Sequence, residues 1–305
     1  MRELVIGTRG SSLARCQTDI IRTKLEEHAP AQRFTVNILT SHADRNPELS
    51  LTAMGGEGVF VKELEAALVE RRIDLAVHSL KDLPLDCPSG LCIAAVLERE
   101  EPRDALISRS GISFEQLPAG ARLGTSSLRR RSQLLRRRQD LKLLEIRGNV
   151  DTRLRKLSEG QYDAIVVAAC GLIRLGLEAR ITEQLDFSLM IPEPGQGALA
   201  VEARADDREV LELLNTLNDP ISRACVEAER AFLRALGGGC RVPIAAYASY
   251  ARGTISLEGT VVAADGSAQL RGQRSGAMTA PVALGEQLAN ELIAQGALDL
   301  LHQKS

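Results

Sequence analysis

The stretch ELVIGTRGSS, residues 3–12, contains a strand–turn–helix device that indicates the class of fold. A short apolar strand over residues 3–7 ends in a Gly/Ser-rich turn, and helical spacing of apolar side chains begins at Leu13. The start of a helix offers unpaired N–H groups and a partial positive charge, so this device can bind an anion. A simple N-cap at Ser11 or Ser12 explains the same residues.

The device occurs a second time at residues 121–131, ARLGTSSLRRR. Three arginines fall in the first turns of the helix that follows, where the helix dipole disfavours cations. Something must therefore offset their charge, and a bound anion would do so. A length of 305 residues is too long for one ordinary core, so two or three domains are expected.

A buried strand over residues 73–77 ends in His78-Ser79-Leu80-Lys81-Asp82-Leu83-Pro84. Polar groups just past the carboxyl end of a strand are where open α/β sheets place their sites. Asp82 is therefore a candidate acid/base group. The alternative is a turn aspartate ahead of Pro84.

Composition limits the class of protein. The net charge is −2, there is no Trp and 3% of residues are aromatic, which argues against nucleic acid as a partner. The longest apolar run, residues 164–173, is about half a membrane span, so we expect no membrane association and a cytoplasmic protein. Six cysteines without a CxxC spacing and four scattered histidines predict free thiols and no metal site.

The last third of the chain reads as a small α+β unit. Alternating strands are predicted at 244–249, 254–262 and 269–274, and one helix at 281–302. Upstream, residues 198–202 form a strand that could return to the first sheet, and the charged segment 98–104 is typical of a hinge.

A glycine run, LGGGCRVP at residues 236–243, precedes this unit. A thiol at Cys240 on a thin loop beside Arg241 could carry a covalent group, because a nearby cation favours the thiolate. The alternative is a helix C-cap at Gly237 followed by an incidental cysteine.

Arginines of the middle unit recur after strands or in the first turns of helices, where a doubly wound sheet brings them to one cleft. Arginine forks bind carboxylates and phosphates, so a substrate with many carboxylates would suit such a cleft. The arginines in these positions are Arg129, Arg130, Arg147, Arg153 and Arg174.

Five motifs in register resemble the porphobilinogen deaminase (hydroxymethylbilane synthase) family. They are residues 77–84 (VHSLKDLP), 124–130 (GTSSLRR), 147–150 (RGNV), 195–197 (GQG) and 238–243 (GGCRVP). The resemblance implies an α/β fold with two periplasmic-binding-protein-like doubly wound domains and a small α+β C-terminal domain. It implies domain 1 at 1–98 and 198–217, domain 2 at 103–192 and domain 3 at 220–305.

The same resemblance implies a monomeric transferase without metal. It would join four porphobilinogen molecules head-to-tail, with loss of ammonia, onto a dipyrromethane cofactor on Cys240, and release hydroxymethylbilane by hydrolysis. The rival classes are a non-catalytic two-lobed polycarboxylate-binding protein and, resting on the arginine clusters alone, an RNA-binding protein.

By this likeness Asp82 is catalytic, and a further set of residues binds substrate and cofactor. That set is Arg9, Ser11, Lys81, Thr125, Ser126, Ser127, Arg129, Arg130, Arg147, Gly148, Arg153, Arg174 and Gln196. One departure is visible: Ala53 and Glu57 stand in a Gly-rich loop where some bacterial members have lysines.

Overall fold

A computed structural model describes residues 2–39, 61–239 and 242–302 of the chain. The chain divides into two compact units. One comprises Met1–Arg99 with Ala198–Arg223, and the other comprises Glu100–Gly197 with Ala224–Ser305. No helix within the described ranges is long and apolar enough to span a membrane.

Strands and helices alternate along parts of the chain, and three strands follow one another without a helix near the C-terminus. The first stretch holds β1 (Leu4–Arg9), α1 (Ser12–His28), β2 (Phe34–Leu39), α2 (Lys62–Val69), β3 (Leu75–Ser79), a 3-10 turn (Leu80–Asp82) and β4 (Leu91–Val96). The middle stretch holds β5 (Asp104–Ser108), β6 (Arg122–Gly124), α3 (Leu128–Arg137), β7 (Lys142–Leu144), α4 (Val150–Ser158), β8 (Ala164–Ala168), α5 (Ala169–Arg174) and β9 (Glu183–Gln184). The last stretch holds β10 (Leu199–Arg204), α6 (Arg208–Asn215), α7 (Pro220–Ala235), β11 (Ile244–Ala251), β12 (Thr254–Val262), β13 (Gln269–Ala277), α8 (Pro281–Ala294) and α9 (Ala297–His302).

The first unit contains a five-stranded sheet in the order β2-β1-β3-β10-β4. β1 is parallel to β2 and β3, while β10 is antiparallel to β3 and β4. Ile21 of α1 and Val210 of α6 pack on one face, and Leu64 and Leu68 of α2 belong to a separate cluster on the other. Helices on both faces make this a doubly wound sheet, whose strands are apolar because both of their faces are buried.

The second unit repeats this topology in the order β7-β6-β8-β5-β9. β6 is parallel to β7 and β8, and β5 is antiparallel to β8 and β9. The chain passes from the first unit into the second and later returns to the first. The antiparallel strand of each sheet comes after one of these two crossings: β5 after the first and β10 after the second. The prediction that residues 198–202 return to the first sheet is confirmed.

The C-terminal part folds as a three-stranded antiparallel sheet, β11-β12-β13, against helices α7, α8 and α9. β11 is an edge strand of this sheet. The segment that follows the α/β part of the second unit runs beside it, where Ala246 N–H donates to Pro192 O at 3.2 Å. The carboxylate of Glu229 on α7 is fully buried and accepts from Ala248 N and Gly195 N, both at 2.7 Å.

The predicted α/β class is confirmed for the described residues: two doubly wound sheets and a small α+β C-terminal part. The predicted boundaries of three domains stay a prediction. Two local expectations were wrong. The segment 98–104 is not hinge throughout, since Asp104 begins a buried strand, and the final helix is interrupted at residues 295–296.

We predict that Glu229→Gln destabilises the protein. The amide would turn a donor toward one of two buried N–H groups, and an unsatisfied buried group costs about 1–3 kcal/mol. The measurement is the free energy of unfolding from urea denaturation. Glu286→Gln, at an exposed position of α8, is the control and should change stability little. Equal stability of the two variants would contradict this role for Glu229.

Candidate active site

The first unit places four of the predicted site residues at the carboxyl edge of two neighbouring parallel strands. Arg9 ends β1 and Ser11 caps α1, where its Oγ accepts from Ala14 N at 3.2 Å. Lys81 and Asp82 lie in the 3-10 turn directly after β3. A direct contact links the two strand ends, since the amide of Gln17 on α1 donates to Ser79 Oγ at 2.9 Å.

The turn that carries Lys81 and Asp82 is anchored on both sides. Leu80 and Leu83 are buried, Leu80 N donates to Ala198 O at 3.0 Å, and Leu83 N donates to Leu80 O at 3.1 Å. Asp82 itself is exposed. An exposed carboxylate is thus held on a fixed backbone, which is the arrangement that a general acid/base needs.

In the second unit, the predicted loops after β6 and β7 are joined by one serine. Ser126 Oγ donates to Ile146 O at 2.8 Å and accepts from Ile146 N at 3.0 Å. A hydroxyl has a single proton, so this one is committed to Ile146 and leaves an acceptor site only. Ser127 caps α3 by accepting from Arg130 N, which leaves its own proton available. Thr125 is buried.

The segment after β7 is held by its own side chains. Arg153 Nε donates to Gly148 O at 2.8 Å, and Arg147 forms an ion pair with Glu145 at 2.8 Å. The structure thereby brings Ser126, Gly148 and Arg153 into one connected group. Arg147 is half-buried beside them.

Arg129 and Arg130 are not surface cations. They are 3% and 6% exposed, and both bind the fully buried carboxylate of Asp104, at 2.6 Å from Arg129 Nη1 and 2.9 Å from Arg130 Nε. This carboxylate supplies the offsetting charge that the sequence analysis assigned to a bound anion. One carboxylate balances one arginine only, however, and Arg129 Nε has no hydrogen-bond partner in the described structure.

Gln196 and Arg174 connect the two crossing segments. The amide of Gln196 donates to Asp104 Oδ1 at 3.0 Å and to Pro102 O at 2.7 Å. Arg174, whose side chain is 2% exposed, binds Glu100 at 2.5 Å and Gly197 O at 2.7 Å. Both predicted binding residues therefore have structural partners within the second unit.

Burial alone would raise the pKa of the Asp104 carboxyl. The charges of Arg129 and Arg130 and the hydrogen bonds from Arg129 and Gln196 outweigh burial and hold this pKa well below its usual range. Asp104 therefore stays ionised wherever the protein is folded near neutral pH.

Cys240 and Arg241 lie outside the described residues, as do Ala53 and Glu57. The glycines before Cys240 have local reasons of their own. Gly237 has a φ of +68° just past the end of α7, and its N–H bonds to Arg234 O. A Cβ on Gly238 would lie 2.4 Å from Leu233. The C-cap interpretation of Gly237 is thus confirmed, and it does not exclude a covalent role for Cys240.

Sequence reasoning missed Asp104, the group that organises Arg129, Arg130 and Gln196. It also missed the link from Gln17 to Ser79. The only available signal for Asp104 was a need for negative charge near arginines at a helix start, and that signal does not say which of many acidic residues supplies it.

The fold and these groups define an α/β protein with an exposed carboxylate on a fixed turn of its first unit and a buried cluster of arginines in its second. A family model described as porphobilinogen deaminase, dipyromethane cofactor binding domain, matches residues 4–212, and a model of the porphobilinogen deaminase C-terminal domain matches residues 223–294. The chain belongs to the porphobilinogen deaminase family, whose members are transferases.

Relatives named porphobilinogen deaminase are similar over nearly the whole length of the chain. The chain is 50% identical over 300 residues to a porphobilinogen deaminase of Desulforudis audaxviator, covering 98% of this chain and 97% of that protein. It is 51% identical over 298 residues to the one of Roseiflexus castenholzii, covering 98% of each. A solved YaeC-family lipoprotein of Enterococcus faecalis, 13% identical, covers 71% of this chain and 91% of its own with a TM-score of 0.43, a likeness too low to argue from.

We predict that Asp104→Asn lowers the free energy of unfolding by about 3–5 kcal/mol at pH 7, because it leaves buried arginine charge uncompensated. Urea denaturation measures the change. Asp140→Asn, which removes the exposed partner of Arg138, is the control and should cost much less.

The difference between wild type and Asp104→Asn should also depend on pH. A carboxyl with a lowered folded pKa contributes its stability above its unfolded pKa of about 3.9 and loses it as the pH falls toward the folded value. The two proteins should therefore differ by a constant amount at neutral pH and converge in acid. A difference that grows in acid would contradict the ion pair.

Proposed function

We propose that this chain joins four porphobilinogen molecules in sequence, with Asp82 as its acid/base group and Cys240 as the attachment point of its cofactor. The observation that carries the proposal is the rigidly anchored and exposed carboxylate of Asp82, in a chain of the porphobilinogen deaminase family. The comparisons favour this enzyme over the alternative of a non-catalytic polycarboxylate-binding protein.

The described residues suit a dipyrromethane, which carries acetates and propionates. The buried group of Arg129, Arg130 and Asp104 has one positive charge more than it has carboxylates, and Arg129 Nε is an orphaned buried donor. A carboxylate ligand would supply what this group lacks. When bound through Cys240, the dipyrromethane supplies the pyrrole carbon to which the first substrate is joined.

The chemistry assigned to Asp82 follows from the substrate. As the amino group of the aminomethyl substituent leaves as ammonia, the C–N bond of porphobilinogen breaks and the methylene carbon stays on the ring as a cationic azafulvene. Asp82 gives the leaving amine its proton and then stabilises the cation as a carboxylate. A new C–C bond forms to the receiving ring, which releases one proton, and Asp82 accepts it. Each cycle thus returns Asp82 to its starting state.

The cationic and hydroxyl groups are proposed to bind the carboxylates of the growing chain. Arg9, Ser11 and Lys81 serve in the first unit. In the second unit the proposed binding groups are the cations and hydroxyls of Thr125, Ser127, Arg129, Arg130, Arg147, Arg153 and Arg174, together with Gly148 and the amide of Gln196. Because Ser126 offers only an acceptor, its proposed part is to hold the two loops together. We further propose a monomer that works in the cytoplasm, without nucleic acid.

We predict that Asp82→Asn lowers kcat for ammonia release from porphobilinogen by at least about 100-fold, because an amide cannot exchange the proton. The control is Asp86→Asn, an exposed carboxylate four residues further on, which should keep kcat within about twofold. Near-normal turnover of Asp82→Asn would remove Asp82 from the mechanism.

We predict that the intact denatured protein is heavier than the bare chain by two linked pyrrole units. The excess should be absent from Cys240→Ser, because a hydroxyl does not form the thioether, and should remain in Cys87→Ser. Mass spectrometry of protein incubated with porphobilinogen measures it. An excess retained by Cys240→Ser would refute the attachment site.

A further inference from the structure

The first unit contains a buried pair of ionisable side chains that the chemistry above does not use. Glu202 on β10 is 0% exposed and His78 on β3 is 5% exposed. Their strands are antiparallel neighbours, with Ala200 opposite His78 and Glu202 opposite Ala76. Glu202 Oε2 lies 3.2 Å from His78 Nε2.

Within the part of the chain that the structure describes, Glu202 has no polar partner other than His78. Among the described residues, neither of its carboxylate oxygens makes a hydrogen bond of regular geometry. It shares its face of the sheet with Ala76, which belongs to an apolar cluster with Leu64 and Leu91. Carboxylates are rarely buried among apolar groups unless they are paired, so the contact with His78 is what makes this burial tolerable.

The charged groups around the pair come from two further elements. Glu65 on α2 and Cys92 on β4 both have a raised pKa, chiefly because they are partly buried and also because the charge of Glu202 is near. The charge of Lys62 on α2 favours a lower pKa of Glu65, and the charge of Arg223 favours a lower pKa of Cys92. No arginine or lysine of the described residues forms an ion pair with Glu202, which leaves His78 as its counterpart.

We propose that Glu202 and His78 share a proton and act as positioning residues for the reaction. Two atoms that both present lone pairs would repel at 3.2 Å, so one of them carries a hydrogen, and we place this hydrogen on His78 Nε2. The contact is a close approach of the two groups, since neither atom makes a hydrogen bond of regular geometry among the described residues. The inference rests on the proposed function, because it assigns the pair a part in placing Asp82.

The placement follows from the backbone. His78 is followed by Ser79, the last residue of β3, and then by the turn that holds Lys81 and Asp82. The same two strands meet again beyond the pair, where Leu80 N donates to Ala198 O. The His78–Glu202 contact therefore adds a side-chain link to the backbone pairing of β3 with β10 immediately before the turn. Loss of the contact would let the turn shift, and a displacement of about 1 Å can cost about 100-fold in rate.

Steady-state kinetics of the cofactor-loaded enzyme provide the first test. Glu202→Leu should lower kcat by about tenfold or more and leave KM within about twofold, since the pair does not touch substrate. Glu202→Gln, which can still accept from Nε2–H, should recover most of kcat. His78→Gln should behave like Glu202→Leu. His28→Gln, at an exposed histidine that bonds to Lys24 O, is the control.

Nitrogen NMR of the imidazole groups provides a readout that needs no activity. The chain has four histidines, so its imidazole spectrum is simple, and the His78 signal is the one lost in His78→Gln. We expect a protonated Nε2 whose hydrogen exchanges slowly with water in wild type and rapidly, or not detectably, in Glu202→Leu.

An unprotonated Nε2 in wild type, or an unchanged kcat in folded Glu202→Leu, overturns the proposal. Should Glu202→Leu not fold, an unchanged kcat in His78→Gln overturns it equally. An inactive wild type with a slowly exchanging Nε2–H would refute the proposed function and leave the shared proton standing.

Discussion

The buried carboxylate of Asp104 is the constraint on which the second unit depends. It begins β5, the strand that follows the crossing from the first unit, and it binds two arginines of α3 and the amide of Gln196. Burying it without these partners would be prohibitively costly, and burying the arginines without it equally so. The same contact therefore fixes the strand, the helix start and the second crossing segment.

The buried group of Arg129, Arg130 and Asp104 has an excess of positive charge, and this excess has a consequence for ligand binding. Two guanidinium groups and one carboxylate leave one charge to be met by something else, inside a region where water is scarce. A ligand rich in carboxylates meets that need, and the family to which the chain belongs handles such ligands. Under the proposed function, the same side chains serve both structural stability and ligand binding.

The first unit, in contrast, holds an exposed carboxylate in a fixed position. Buried Leu80 and Leu83 on either side of the turn, and backbone hydrogen bonds to β10, hold Asp82 without covering it. The sequence predicted the position of this carboxylate, because polar residues directly after a buried apolar strand lie at the carboxyl edge of an α/β sheet. It gave no hint of Gln17 as the partner of Ser79, since the two residues are far apart in the chain.

Periodicity and local turn chemistry determined what the sequence could determine alone: the strands, the capped helices, the repeated device and the motifs of the site. These depend on neighbours within a few residues, and so they are written in the order of the chain. Only the tertiary structure decided that Asp104 belongs to a core strand and not to a hinge. It also decided that the Ser126 hydroxyl donates to Ile146 O and that His78 faces Glu202. Each of these depends on a partner 20 or more residues away. The pairing of distant charges is fixed by strand order and burial, and neither is encoded locally.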